Sequence, residues 1–404
     1  MPDIVPAGGK MAAVILTVTM AAPKSYAPAK RLLHVVDSMA PEAGGTTEGI
    51  RRLAESGGGE SAVVCMDDPG ASYVRGQRFA VHAMGPAQGS YRYTPRLNAW
   101  LKQNVDGYDG VVIHGLWQHH SYGTYRVIRG RKPYVVFPHG MLDPYFQRAF
   151  PFKHAKKQVY WLAREYRVLR DARAVCFTTP MERDLAATTF WPRRWKPVVV
   201  SFGTSEPPGD ADAQRESFLA RYPRLRAQRF FLFLSRIHSK KGCDLLLEAF
   251  GRLAAAHPEV DLVIAGPDEG GLRPQLDGQA KSLGVESRVH WTGMLEGELK
   301  WGALRSAEAL VLPSHQENFG VAVVEALACG IPVAISDKVN IWRDVAADGA
   351  GIVNPDTAAG TLAGMVTLLT MPAEARQRMV SNGLTCFRKR YEMGRTAQAL
   401  LDLF

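Results

Sequence analysis

The chain is poor in cysteine and has no apolar run long enough to cross a membrane. Its five cysteines are odd in number and show no paired spacing, which indicates separate buried thiols in a reducing, cytoplasmic compartment. The longest apolar segment, Met11–Ala22, falls short of the roughly 18 residues that a membrane-spanning helix needs. It has the length of a signal-peptide core and follows Lys10, so a secretory signal is the alternative.

Three common signatures of a ligand site are also missing. Gly44 and Gly45 form a turn after the first predicted strand, but they do not continue into the G-x-G-x-x-G pattern of dinucleotide sites. His119 and His120 have no Cys, Asp or Glu at ligand spacing, so neither a metal ion nor another cofactor is expected. No recognition motif accompanies the basic residues, and nucleic-acid binding is not expected.

The positive charge lies in one half of the chain. Residues 1–200 hold 27 Lys and Arg against 15 Asp and Glu, whereas residues 201–404 hold 22 against 24. A basic half indicates polyanionic partners such as anionic lipid or acidic glycans. The segment 145–173 has eight basic residues, two acidic residues and seven aromatic residues. It predicts either contact with an anionic membrane surface or a solvated helix whose aromatic rings turn inward.

Short apolar runs alternate with helical patterns along the chain. Continuous apolar strands joined by helices indicate parallel sheets that are covered on both faces. The array is too long for one open sheet, so the sequence predicts an α/β protein with two doubly wound, Rossmann-like domains. The predicted strands are 31–39, 61–66, 110–115, 133–140, 174–179, 197–202, 230–237, 260–266, 288–293, 309–314 and 331–336.

Polar residues cluster at the predicted carboxyl ends of these strands, where open parallel sheets bind ligands. Arg236 and Lys241 lie at one strand-to-helix turn, where two cations and a helix N-terminus can neutralise a diphosphate. A solvated basic turn is the alternative for these two residues. Glu317 and Glu325 flank a glycine loop and can grip two groups of one polyhydroxylated ligand. For each glutamate alone, a loop carboxylate or a helix-dipole partner is the alternative.

Two histidines compete for the role of a substrate contact. His139 follows a buried strand in VVFPHGMLDP, where it can hydrogen-bond a substrate hydroxyl. His114, in VVIHGLW at the neighbouring strand, is the rival. The alternative for His139 is a core histidine bonded to the backbone. The local sequence alone leaves these possibilities open.

These motifs together resemble the retaining glycosyltransferases of family four, which have the GT-B fold. The resemblance rests on Glu317 and Glu325 with Asn318, Phe319 and Gly320 between them, on the turn from Arg236 to Lys241, and on IAGPDEGG. The strings HGLW and PHGMLDP are similar to those of a bacterial subgroup that builds surface polysaccharides, such as lipopolysaccharide and exopolysaccharide. Asn318, where the family often has proline or glycine, departs from the pattern.

The resemblance implies a role for each position. A metal-independent hexosyltransferase would take a GDP- or UDP-sugar and pass the hexose to a saccharide or lipid-linked saccharide acceptor, with the anomeric configuration retained. The implied catalytic residues are His139, Arg236, Lys241 and Glu317. The implied donor-binding residues are Gly45, Gly266, Met294, Asn318, Phe319, Gly320 and Glu325. A nucleotide-sugar epimerase-like GT-B enzyme and a non-catalytic nucleotide-sugar-binding protein are the alternatives.

The predicted organisation has five parts. They are an N-terminal extension without an assigned role (1–30), an acceptor-binding domain (31–203), a linker (204–228), a nucleotide-sugar-binding domain (229–385) and a terminal helix that returns to the first domain (386–404). The resemblance and the basic segment 145–173 together imply a cytoplasmic protein that is peripheral at the inner face of the plasma membrane.

Overall fold

A computed structural model of the chain describes residues 30–56 and 61–404. The extension 1–30, except for Lys30, and the candidate signal segment Met11–Ala22 lie outside the described residues. Within the described ranges, no helix is both long enough and apolar enough to cross a membrane. All five cysteines lie in the described part, and none of them forms a disulfide.

The first domain contains a seven-stranded parallel sheet. Its strands are β1 (Leu32–Val36), β2 (Ala62–Cys65), β3 (Ala80–Ala83), β4 (Gly110–His114), β5 (Tyr134–Phe137), β6 (Ala174–Phe177) and β7 (Pro197–Val199), in the order β3-β2-β1-β4-β5-β6-β7. Its helices are α1 (Gly45–Ser56), α2 (Pro95–Asn104), α3 (His119–Ile128), α4 (Tyr145–Ala149), α5 (Pro151–Tyr160), α6 (Tyr166–Asp171) and α7 (Pro180–Ala186). A π-helical turn, Trp161–Glu165, joins α5 to α6.

The second domain contains a six-stranded parallel sheet. Its strands are β8 (Arg229–Leu234), β9 (Val260–Ala265), β10 (Val289–Gly293), β11 (Ala309–Leu312), β12 (Val333–Ser336) and β13 (Gly351–Asn354), in the order β10-β9-β8-β11-β12-β13. The remaining helices are α8 (Ala211–Arg221), α9 (Cys243–Ala254), α10 (Arg273–Ser282), α11 (Gly297–Ser306), α12 (Val321–Ala328), α13 (Trp342–Ala347), α14 (Ala358–Thr370), α15 (Ala373–Cys386) and α16 (Met393–Leu401).

Apolar side chains cover both faces of the first sheet. Leu33 packs into the cluster on one face, whereas its neighbour Leu32 packs into the cluster on the other. Both leucines are almost fully buried. Since successive side chains of a strand point to opposite faces, both faces of the sheet are covered at this strand. This burial on both faces explains why the central strands are continuous apolar runs in the sequence.

Each sheet has a switch point, at which the order of strands along the chain reverses direction across the sheet. In the first sheet this position lies between β1 and β4, and in the second it lies between β8 and β11. A crevice forms at the carboxyl ends of the strands at such a switch point. The fold therefore supplies two crevices, and the residues after β4, β5, β8 and β11 line them.

The structure differs from the sequence prediction in the segment 204–228. This segment contains the helix α8, whose Phe218 is fully buried in the core of the second domain. Asp210 caps the helix by accepting hydrogen bonds from the N–H groups of Asp212 and Ala213 at 3.1 and 2.8 Å. The Pro- and Gly-rich stretch before Asp210 is the signal that suggested a linker. At the other end of the chain, α16 packs into the core of the first domain, where the terminal helix was expected.

Candidate active site

A cavity of about 740 Å³ lies between the two domains. It is lined by the carboxyl ends of β1, β4, β8 and β11 and by the turns that follow them. All the candidate residues from the sequence line this one cavity: Gly45, His139, Arg236, Lys241, Gly266, Met294, Glu317, Asn318, Phe319, Gly320 and Glu325. The predicted convergence of the acids and the cations on one cleft is therefore found in the structure, whereas the role of each residue stays a prediction.

Lys241 and Glu317 form a buried ion pair in the cleft. The ammonium of Lys241 donates a hydrogen bond to Oε2 of Glu317, and only 5% of Lys241 is exposed. Burial alone would raise the pKa of Glu317, but the neighbouring Lys241 and Lys240 lower it below its usual value. Glu317 is thus held as a carboxylate inside the cleft, where a sugar hydroxyl can donate to it.

Arg236 approaches the first domain across the cleft. A Cβ atom added at Gly44 would lie 3.4 Å from Nε of Arg236, so the glycine turn and the guanidinium face each other closely. Nη1 of Arg236 pairs with the half-exposed carboxylate of Glu269 at 2.7 Å. Burial, and then the charge of Lys241, lower the pKa of Lys240. Arg236, Lys240 and Lys241 thus all line the cavity from the second domain.

Glu325 is bound by two cations in this structure. Nη2 of Arg52, from α1 of the first domain, lies 2.7 Å from Oε1 of Glu325, and Nζ of Lys300 lies 2.9 Å from the same atom. Arg52 also pairs with Glu48 at 2.9 Å. The contact between Arg52 and Glu325 joins the two domains through an ion pair that is more than nine-tenths buried.

The loop after β11 reaches the first domain through polar side chains. Nδ2 of Asn318 donates to Oγ1 of Thr178 at 3.1 Å, and Nε2 of Gln316 donates to Oδ2 of Asp143 at 3.1 Å. The departure from the family pattern at position 318 therefore has a structural consequence. Asn318 contributes a hydrogen bond between the domains that neither proline nor glycine could make, because neither has a side-chain donor.

His139 lies in a constrained loop after β5. Its φ of 50° lies in the left-handed region, which non-glycine residues rarely adopt. The next N–H, of Gly140, donates to Oε1 of Glu182 at 2.6 Å. Nε2 of His139 lies 3.0 Å from Nδ1 of His114. The two candidates that the sequence left as rivals are therefore hydrogen-bonded to each other.

Gly266 and Met294 lie on the second-domain side of the cleft. A side chain at position 266 is excluded, because its Cβ would lie 1.9 Å from the carbonyl oxygen of Ser235 and the φ of Gly266 is 147°. Met294 is 40% exposed at the rim. The close backbone approach at Gly266 and the exposed thioether of Met294 are compatible with binding of a planar nucleotide base. The binding of a base there stays a prediction.

Sequence reasoning missed four residues that build the site. Arg52 and Lys300 hold Glu325, His34 contacts His114, and Glu182 fixes the loop of His139. Arg52 and Lys300 lie on helix faces without a local motif. Glu182 had a detectable signal, because Thr179 and Glu182 have the spacing of a helix capping box, and Thr179 accepts the N–H of Glu182 at 2.9 Å.

Comparisons with known proteins define the class of this fold. HepE from Anabaena, solved with UDP and glucose, superposes with a TM-score of 0.74 at 18% identity and covers 92% of this chain and 98% of its own. WaaG superposes with a TM-score of 0.63 at 17% identity, with the same shares covered. The chain thus has the GT-B fold of two facing Rossmann-like domains.

Family matches cover most of the chain. Residues 215–385 match the family described as glycosyl transferases group 1, and residues 44–203 match the glycosyl transferase 4-like domain. The glycosyl transferase 4-like match thus falls on the first domain of the fold, and the group 1 match falls on the second.

Two curated relatives match part of the chain. Glycogen synthase of Mycobacterium tuberculosis is 34% identical over 168 residues, which are 41% of this chain and 40% of that protein. Phosphatidyl-myo-inositol mannosyltransferase of the same organism is 31% identical over 223 residues, which are 52% of this chain and 56% of that protein. The chain thus spans about half the length of the curated relatives it matches.

Proposed function

We propose that the protein is a retaining glycosyltransferase that moves a hexose from a nucleoside-diphosphate sugar to a saccharide acceptor. The observation that carries the proposal is the buried pair of Lys241 and Glu317, which shares one interdomain cavity with Arg236, Glu325 and His139. These groups supply what such a reaction needs: cations for a departing diphosphate and carboxylates for sugar hydroxyls. The HepE complex with UDP and glucose supports a nucleotide sugar as the donor.

The cations of the second domain would stabilise the leaving group. The bond between the anomeric carbon and the diphosphate oxygen breaks, and the negative charge that develops on that oxygen faces Lys241 and Arg236. The N-terminus of α12 opens at Gly320 on the same side of the cleft and adds the positive end of its dipole. Positive charge is thus available without a bound metal ion, and we propose metal-independent transfer.

Retention of configuration requires the acceptor to attack the face from which the diphosphate leaves. In the proposed front-face displacement, the acceptor oxygen bonds to the anomeric carbon while the diphosphate departs, and the acceptor proton passes to a phosphate oxygen. No dedicated protein base is then required. His139 assists by hydrogen-bonding the sugar, and closure of the two domains keeps out water that would otherwise hydrolyse the donor.

The cleft wall of the first domain indicates what kind of acceptor enters. Among the described residues that line the cleft, Asp37, Glu42, Glu48 and Arg51 are the charged side chains of this wall. The wall is therefore not basic, although the first half of the chain carries the excess of positive charge. We propose that the reacting part of the acceptor is an uncharged saccharide and that the basic residues serve another contact.

That other contact is a membrane surface. Phe152 is 88% exposed and Trp191 is 72% exposed, and Gln158 joins their segments by bonding the carbonyl and N–H of Trp191 at 2.5 and 3.3 Å. Of the nine large exposed apolar side chains in the described chain, five lie here and form the apolar patch: Phe150, Phe152, Val159, Leu162 and Trp191. The exposed cations of the same two segments include Lys153, Lys156, Arg193 and Arg194.

Apolar side chains beside cations favour the interface of an anionic leaflet. Trp161 of the same segment is fully buried, whereas Phe150 and Phe152 are exposed, so some of its aromatic rings turn inward and others face solvent. We propose that the protein is cytoplasmic, docks at the inner face of the membrane through the apolar patch, and serves a lipid-linked acceptor. The involvement of WaaG in lipopolysaccharide biosynthesis supports a surface polysaccharide as the product.

The double substitution Phe152→Ser and Trp191→Ser is expected to reduce binding to anionic vesicles by at least tenfold, because burying a large apolar side chain contributes about 1.5–3 kcal/mol. Flotation with vesicles of phosphatidylglycerol and phosphatidylcholine measures it. Val366→Ser is the matched control, since Val366 is an exposed apolar side chain of α14 in the second domain. Equal loss in the control, or no loss in the double variant, would contradict docking by this patch.

Sugar transfer itself is expected to proceed after exhaustive chelation. With a labelled GDP- or UDP-hexose, EDTA and a lipid-linked saccharide, label should enter the acceptor, and the proton coupling at the new anomeric centre should show retention. Restoration of a lost activity by Mg²⁺ would contradict metal independence. Conversion of the donor to an epimer would favour the epimerase-like alternative. Binding of the donor with neither transfer nor hydrolysis would favour a non-catalytic binding protein.

A further inference from the structure

Three histidines of the first domain form a continuous hydrogen-bonded chain that ends in the cleft. Nδ1 of His34, in the middle of β1, lies 2.9 Å from Nε2 of His114, and Nδ1 of His114 lies 3.0 Å from Nε2 of His139. The planes of successive rings differ by only 18° and 15°. His139 lines the cavity, whereas His34 is 1% exposed within the central strand.

The position of each ring follows from the sheet. His34 pairs with Val112 in the register of β1 and β4, and Val36 pairs with His114. His34 and His114 are therefore two positions apart along adjacent strands and share one face of the sheet. His114 pairs with Phe137 of β5, and His139 follows two residues later. Three neighbouring strands thus place three imidazoles in a row.

Burial favours the neutral form of all three rings. Burial lowers the pKa of His34 to about 4 and that of His139 to about 3, and it lowers the pKa of His114 well below its usual value. The ring centroids of Phe137 and Phe202 lie 5.9 Å apart, and Phe202 contacts both His114 and His139. A charge on these imidazoles would therefore be poorly solvated. A neutral imidazole has one N–H and one acceptor nitrogen.

This chemistry couples the tautomers. His114 uses both ring nitrogens, so it must donate through one and accept through the other. If it donates from Nδ1, then His139 carries its proton on Nδ1 and His34 donates from Nδ1 as well. If it donates from Nε2, then His139 and His34 both carry their protons on Nε2. The three rings therefore share one tautomer, and mixed arrangements leave two donors or two acceptors facing each other.

We propose that His114 and His34 are positioning residues that fix the tautomer and ring orientation of His139. Nδ1 is the remaining ring nitrogen of His139, so its state decides whether that ring donates to a substrate hydroxyl or accepts from it. Gly140 and Glu182 hold the backbone of the same loop, so the chain and the loop together leave the ring little freedom. The value of this arrangement for catalysis rests on the proposed function, whereas the coupling itself does not.

Nuclear magnetic resonance of the full chain with ¹⁵N-labelled histidine tests the coupling without any turnover assay. Long-range correlations within each ring distinguish Nδ1–H from Nε2–H. We expect His34, His114 and His139 to show the same tautomer, or the same proportions of the two. Different tautomers in His34 and His139 would overturn the proposal, and so would an imidazolium in the row at neutral pH.

The substitution His34→Phe tests the coupling at a distance. His34 does not contact His139, so a merely structural role would leave the spectrum of His139 unchanged; we expect its tautomer proportions to shift. His290→Gln is the matched control, because His290 pairs with Asp261 at 2.7 Å on β10 of the other domain. Transfer by His114→Asn should fall about tenfold, the lower end of the loss seen when a residue that orients a metal-binding histidine is replaced. An unchanged His139 spectrum in His34→Phe contradicts the proposal, whether or not the protein transfers sugar.

Discussion

Replacing Lys241 with methionine is expected to lower the rate of sugar transfer by about 10²–10³-fold, the usual loss when one stabilising donor is removed from a developing oxyanion. Lys241 is buried in the cleft and bonds Glu317, so its charge lies at the place where the diphosphate is proposed to depart. Initial rates with a labelled nucleotide sugar measure the loss. Affinity for the free nucleoside diphosphate, measured by calorimetry, should fall as well.

The Lys241→Met variant also leaves Glu317 buried without its cation. Breaking a buried pair by removing one partner costs about 3–5 kcal/mol, so the thermal midpoint should fall together with the rate. The double substitution Lys241→Met and Glu317→Gln removes both charges. We expect it to recover most of the stability but none of the activity. Lys281→Met, at an exposed position of α10, is the control.

These variants separate a catalytic effect from a loss of folding. If the double variant regains both stability and turnover, then the pair is structural and the assignment of Lys241 is wrong. Unchanged transfer in the single variant would end the proposal of charge stabilisation by this residue. Loss of activity in Lys281→Met would show that the assay responds to surface charge instead.

The substitution Glu317→Gln is expected to lower transfer by about 10²-fold while the affinity for the nucleoside diphosphate stays unchanged. Glu317 is proposed to accept from hydroxyls of the transferred sugar, and hydrogen bonds to a charged acceptor contribute roughly 1.5–3 kcal/mol. Its lowered pKa keeps it ionised throughout the neutral range. Rates and calorimetric affinities for the whole nucleotide sugar and for the diphosphate alone measure the two effects separately.

A matched control for this variant is Glu286→Gln, because Glu286 is exposed at the short turn before β10. If Glu317→Gln weakened the binding of diphosphate and of nucleotide sugar equally, the carboxylate would act through Lys241 and not on the sugar. Full activity in Glu317→Gln would remove the carboxylate from the proposed mechanism.

The sequence predicted the interior of the fold better than its edges. Every central strand was found, because burial on both faces requires an unbroken apolar run. The edge strands β3 and β13 were missed, since residues such as His82 and Asn354 are only partly buried and interrupt the pattern. The helix α8 was hidden for another reason: its apolar content is low, and its role is to bury Phe218 against the second domain.

The candidate site was predictable where its residues follow strands in the sequence. Arg236, Lys241 and Glu317 lie in the turns that follow β8 and β11. The rule that ligands bind at the carboxyl ends of parallel strands was therefore sufficient to place them together. Arg52 and His34 could not be found this way. Arg52 lies on a helix and His34 within a strand, and only the packing of the two domains or the register of β1 and β4 gives them partners.

The link between Arg52 and Glu325 has a consequence for the timing of the catalytic cycle. In the proposed reaction, opening of the cleft to admit a donor or release a nucleotide would separate these two charges, which lie 2.7 Å apart and are more than nine-tenths buried. Breaking a buried ion pair is costly, so this pair would slow the opening of the cleft. Turnover would then be limited by product release, and a residue some distance from the sugar would set the maximum velocity.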